Sequence, residues 1–174
     1  MLVALYTGTR AGAVCGATLG KVSGGTSWID LEHGIFFRRG AGQRETKKRQ
    51  PPAKLPVRLL AHLRRWHGLG SSHVVEWNVK PVGARIEKAF RRAAVSAGLH
   101  DVTPHTLRHN AATWLVFNRV PLEKAAEFLG MTVETLDRVY RHATPGFQKE
   151  AADAITRKPT DTRSGTRIAR PVGR

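Results

Sequence analysis

The sequence predicts an α+β fold, mainly α-helical with one small antiparallel β-sheet. Three observations predict it. From residue 57 onward, apolar residues recur at helical spacing in segments bounded by capping residues and glycines. Between residues 27 and 57 the chain changes to short β-rich runs, split by Gly34, by the Gly-rich stretch 40–43 and by Pro51-Pro52. Finally, 174 residues with 41% hydrophobic content suffice for one sizeable core.

Taken in order, "LVALYTG" reads as the end of an apolar helix. The runs "SWIDL", "GIFFRR" and "AKLPV" read as strands, and "RETKKRQ" between the second and third forms a solvated basic hairpin tip. In "VRLLAHLRRWHGLG", Leu59, Leu60, Leu63 and Trp66 mark a helix that stops at glycine. Val82, Ile86, Phe90 and Ala93 mark the next, ending before Gly98. Thr103 can cap a helix with Pro104 at its first position, followed by Ala111, Ala112, Trp114 and Leu115. "PLEKAAEFLG" starts at Pro121 and ends at Gly130, and "VETLDRVYRH" follows a Thr132 cap. Pro145 and Gly146 break the chain before a last amphipathic helix from Phe147 to Ile155. The expected organisation is one domain over residues 1–155 and a basic, disordered tail over 156–174, with no internal repeat.

Charge narrows the partners. Twenty-nine Lys and Arg against 13 Asp and Glu give a formal +16, the electrostatic footprint of a polyanion binder. Cys15 is the only cysteine, which excludes an internal disulfide framework and a cysteine-based zinc site and implies a reducing, cytosolic setting. The first residues carry no basic lead-in of a signal peptide, and no apolar run approaches the roughly 20 residues of a membrane span.

Three constellations carry chemistry. In "PHTLRHN", His105, Arg108 and His109 fall at i, i+3 and i+4 and share one helix face. They lie in the first turns, where free backbone N–H groups and the helix dipole favour an anion, and a guanidinium fork matches two phosphate oxygens. In "YTGTR", Gly8 permits a tight turn and Arg10 opens the segment after it. In "TLDRVYRH", Tyr140 stands between Arg138 and His142, and such cations are expected to lower a phenol's pKa.

Together, "TGTR", "HTLRH" and "LG" with a tyrosine nine residues beyond Met131 resemble the ordered boxes of the tyrosine recombinases, the phage integrase family. The resemblance runs from about Leu5 to Ile155. It implies that Arg10 and Arg108 clamp a scissile DNA phosphate, that His105 lies close to that phosphate with His109 in support, and that Tyr140 is the nucleophile. It also implies a hairpin lysine as general acid. Counting eight residues back from Pro56 selects Lys48, with Lys47 as its neighbouring alternative. The expected reaction is site-specific recombination through a 3′-phosphotyrosyl link, with no cofactor, no metal and no small-molecule substrate. The expected setting is bacterial or phage cytoplasm at the nucleoid, with double-stranded DNA as partner and a tetramer on DNA assembled through the last helix. The pairs at 64–65 and 91–92 are expected to grip the duplex backbone.

Two positions depart from the family pattern. Met131 stands where histidine or tryptophan is common, and Ala13 where glutamate is frequent. Methionine cannot donate to a phosphoryl oxygen. The alternative reading is therefore a non-catalytic DNA-binding remnant of a truncated integrase, since the chain opens where the family's catalytic domain is already under way. A type IB topoisomerase would share the chemistry, and a ribosome-associated protein would share only the charge.

Overall fold

The computed structural model describes residues 1–21, 25–40, 42–44, 49–83, 86–140, 152, 153 and 155. Lys47, Lys48, His142 and the tail at 156–174 lie outside the described residues. The chain divides into two units, Met1–Thr144 and Pro145–Arg174. Of the expected last helix in the second unit, the described residues Ala152, Asp153 and Ile155 are helical and exposed.

The first unit runs α1 (Leu2–Thr7), α2 (Ala11–Cys15), β1 (Thr18–Leu19), β2 (Trp28–Asp30), β3 (Ile35–Phe37), β4 (Ala53–Lys54), α3 (Val57–Gly68), β5 (Glu76–Trp77), β6 (Lys80–Pro81), α4 (Glu87–Ser96), α5 (Pro104–Phe117), α6 (Leu122–Leu129) and α7 (Val133–Tyr140). The sheet has the order β1-β2-β3-β4, with β2-β3 and β3-β4 antiparallel as expected. The two-residue β1 adds a parallel neighbour that its sequence, next to glycines, does not advertise. A separate hairpin, β5-β6, is equally short. It uses Lys80–Pro81 as strand, so α4 begins at Glu87, several residues after Val82.

Register explains which faces are buried. Ile29 pairs with Phe36 and both are fully buried, while their neighbours Trp28 and Phe37 pair on the opposite face and stack with ring centroids 4.3 Å apart. Ile29 and Phe36 join Val3, Val14, Leu19, Leu55, Leu59 and Leu63 in one core beneath α1 and α3. A second core joins α5, α6 and α7 through Ala111, Ala112, Ala125, Ala126, Leu129, Leu136 and Tyr140. The two meet where α1 packs on α5.

That junction depends on Gly8. It ends α1 in the left-handed conformation (φ 62°), and a Cβ there would sit 2.4 Å from Leu129 Cδ2. Of the four arginines expected on the duplex backbone, Arg64 is engaged within the fold. Its Nε and Nη2 donate to the carbonyls of Leu31 and Glu32 at 2.9 and 3.1 Å and hold the turn between β2 and β3.

Candidate active site

The N-terminus of α5 is fixed by a reciprocal cap. Thr106 N donates to Thr103 Oγ1 at 3.4 Å and Thr103 N donates to Thr106 Oγ1 at 3.1 Å, with Pro104 in the first turn. This fixed start presents His105, Arg108 and His109 on one side. Arg108 is only 5% exposed, and its Nη1 donates to the Gly8 carbonyl at 2.6 Å, across 100 residues of sequence. Gly8 belongs to a turn braced by buried threonines: Thr7 Oγ1 donates to the Val3 carbonyl and lies 2.6 Å from Thr9 Oγ1. Two residues beyond Gly8, Arg10 caps α2, and its Nη1 donates to the Arg49 carbonyl at 3.3 Å. Arg49 directly succeeds the basic segment that contains Lys47 and Lys48.

Tyr140 ends α7 and is buried against the second core, with its Oη 2.6 Å from His109 Nδ1. The His105 ring meets the His109 ring edge-on, centroids 4.6 Å apart. The electrostatics differ from expectation at Tyr140. Burial raises the phenol above 10.0, and the opposing pull of Arg108 only reduces that rise. A nearby guanidinium lowers a phenol's pKa, but here desolvation wins. Burial, together with the charges of His109, Arg108 and Arg10, lowers the His105 pKa below 6.5, so its imidazole is neutral at pH 7. Arg108 is lowered to about 10 by burial and by Arg10.

Sequence reasoning missed Arg38. It is 4% exposed and follows β3, where burial alternates Phe36 in, Phe37 out, Arg38 in. Its Nη2 donates to the Thr7 carbonyl and its Nη1 to the Phe128 carbonyl, both at 2.7 Å. With Arg10, Arg49, Arg108 and Ala13 it lines one small pocket. The signal was present in the strand's period-2 pattern, which assigns Arg38 to the same face as Phe36; the adjacent Arg39 made the pair look like surface charge.

The six predicted residues divide into two groups. Arg10, Arg108, His105, His109 and Tyr140 come together, linked by the His109–Tyr140 hydrogen bond, the His105–His109 ring contact and mutual charge effects. Lys48, like its alternative Lys47, falls outside the described residues. Met131 comes after the left-handed Gly130 and packs against the second core. Among the described residues, no group of three or more His, Cys, Asp or Glu is placed to hold a metal ion, and no helix is long and apolar enough to cross a membrane.

Tyrosine recombinase XerC of Corynebacterium glutamicum is 28% identical over 155 residues, covering 83% of this chain and 46% of that protein. Tyrosine recombinase XerD of Bifidobacterium longum is 30% identical over 105 residues, covering 60% of this chain and 30% of that protein. The chain thus spans less than half the length of these curated relatives. Among solved structures, XerA recombinase superposes with a TM-score of 0.64 at 22% identity, covering 90% of this chain and 56% of that one. The Tn1549 transposon integrase, in complex with transposon right end DNA, gives 0.67 at 17% identity, covering 90% of this chain and 57% of that one. These likenesses show the fold, which is that of recombinase structures. The match to the phage integrase family extends over residues 1–146, and the chain belongs to that family.

Proposed function

We propose that this chain is the catalytic part of a site-specific DNA recombinase, with residues 1–155 forming the catalytic domain and 156–174 a basic tail. The substrate is double-stranded DNA, consistent with the +16 charge and with the DNA-bound state of the Tn1549 neighbour. The 2.6 Å approach of Tyr140 Oη to His109 Nδ1, next to the Arg108 guanidinium, carries this reading. A phenol whose pKa is raised by burial needs a proton acceptor at the moment of attack, and His109 already touches it.

In the reaction, Tyr140 Oη bonds to phosphorus as its proton passes to His109 Nδ1, in the tautomer where that nitrogen is bare. His105, neutral at pH 7, hydrogen-bonds the phosphate or serves as the alternative acceptor. Arg10 and Arg108 offset the charge on the nonbridging oxygens, usually the largest contribution to such a step. The bond from phosphorus to the 5′ oxygen breaks, and that oxygen takes a proton from Lys48, or from Lys47. The 3′-phosphotyrosyl link keeps the ester energy, so a second 5′ hydroxyl can reverse the exchange without ATP. A tetramer joined through the segment from Phe147 to Ile155 brings two duplexes together, in the cytoplasm at the nucleoid.

Duplexes drawn from the DNA flanking the gene, nicked beside each candidate cleavage position, test the reading. The expected product is a covalent protein–DNA adduct that Tyr140→Phe abolishes. Met131, a non-donor at a position where the family commonly has histidine or tryptophan, favours a second reading, a DNA-binding protein that no longer cuts. Salt-sensitive duplex binding with no adduct from the wild-type chain would establish that second reading.

A further inference from the structure

We propose that Arg38 is a positioning residue of this site, a buried guanidinium that, with buried Arg108 and the half-buried Arg10, fixes the Gly8–Arg10 turn from behind and adds its charge toward a phosphate held by those two arginines. The proposal rests on the recombinase reading, and it begins with where the side chain is anchored. Thr7, which accepts from Nη2, is the last residue of α1 and precedes Gly8, whose own carbonyl holds Arg108. Phe128, which accepts from Nη1, precedes Leu129, whose side chain closes on Gly8. One guanidinium therefore ties the end of α1 to the end of α6, on either side of the turn that carries Arg10.

Its charge is the second observation. A buried cation is costly unless an anion pairs with it. Among the described residues, the acceptors Arg38 finds are two neutral carbonyls, and its buried Nε has no hydrogen-bond partner. Arg10 and Arg108 likewise donate to carbonyls, those of Arg49 and Gly8. Arg10, Arg38, Arg49 and Arg108 thus line one pocket, and the acceptors of Arg10, Arg38 and Arg108 among the described residues are neutral carbonyls. They also repel one another: Arg38 is lowered to about 10, first by burial and then by Arg108 and Arg10. A strap needing only hydrogen bonds would not need this third charge. A phosphate between the arginines turns the mutual repulsion into shared attraction, and Arg38 acts on it through the two arginines in front.

Thermal unfolding of the 174-residue chain in inorganic phosphate, against sodium chloride of equal ionic strength, tests this without any cleavage step. Wild type is expected to gain about 3–5 °C at tenfold excess over its dissociation constant. Arg38→Lys keeps most of that gain. Arg38→Gln, which retains amide donors but no charge, falls below about half of it. Every Arg38 variant shifts the baseline Tm, because neither replacement has the fork that donates to the Thr7 and Phe128 carbonyls at once, whereas a merely structural strap leaves the phosphate-dependent gain at its wild-type size. That outcome, or no gain in the wild type, overturns the proposal. If Arg38→Gln does not fold, NMR of the wild-type chain decides: the Arg38 Nε–H signal is expected to move as phosphate is titrated. An unmoved Arg38 signal beside moving Arg10 and Arg108 signals overturns it. A chain that gains Arg38-dependent stability in phosphate yet forms no adduct with nicked DNA refutes the recombinase reading alone: Arg38 then positions an anion-binding site that does not cut.

Discussion

The two cores of the first unit are built from different materials. Around the sheet and α3 the interior is filled by Ile29, Phe36, Leu59 and Leu63, each fully buried. Between α5, α6 and α7, four of the eight buried residues described are alanine, at 111, 112, 125 and 126, with Tyr140 the aromatic among them and Phe128 packed at the edge. Large side chains give the first core its burial energy. Small ones let three helices approach closely and hold a phenol at their margin. The candidate chemistry lies on the line between them: Arg10 and Arg38 come from the sheet side, Tyr140 from the alanine side, and Arg108 crosses over to Gly8.

Substitutions at that line should act on chemistry, and substitutions behind it on stability. The largest effect is expected from Tyr140→Phe, which removes the attacking oxygen and should eliminate adduct in a nicked-duplex assay. Its unfolding free energy should change by only about 1 kcal/mol, the worth of one hydrogen bond. Next comes Arg108→Ala, for which single-turnover cleavage should fall about 10²–10³-fold. That variant should also lose about 1–3 kcal/mol in urea unfolding, because the buried Gly8 carbonyl is left without its donor.

Purely structural changes sharpen the contrast between the cores. Leu59→Ala, in the sheet core, should cost about 2–5 kcal/mol in the same denaturation experiment. Ala126→Val, in the alanine core, should cost about 1–3 kcal/mol through overpacking. The reverse order would show that the alanine core, not the sheet core, dominates stability.

The smallest effect concerns pH. Partial desolvation and nearby cations lower the pKa of the otherwise exposed His105, so its contribution is complete above 6.5 and fades as the pH falls through its lowered value. The share of cleavage owed to His105, read as the difference between wild type and His105→Gln, should therefore hold steady from pH 8 to 6.5 and decline only at more acid pH. A loss already complete at pH 7 would contradict the lowered value.

Much of this was legible in the chain itself, because caps and breakers are local. Thr103 with Pro104 fixed the start of α5, Thr132 the start of α7, and Gly130 the end of α6. The arginine, histidine and tyrosine boxes were readable because each sits at such a marked boundary. What escaped was set by tertiary context. The β1 and β5-β6 pairings involve two residues each, too few to show a period. Tyr140 was expected to be acidified by its charged sequence neighbours, yet burial, which depends on α5 and α6, reversed the direction. Arg38 was hidden by Arg39 beside it, although the alternation of the strand already assigned it an inward face.

The bond between Gly8 and Arg108 also sets an order of events during synthesis. At about 5–20 residues per second, the ribosome needs roughly 5–20 s to make the side chain that α1's closing turn must meet. Until then α1 has emerged with Val3 and Ala4 lacking their final helix neighbours, and closing so long a loop carries an entropic cost. The seam that gathers the nucleophile and the arginines therefore cannot close before α5 has been made.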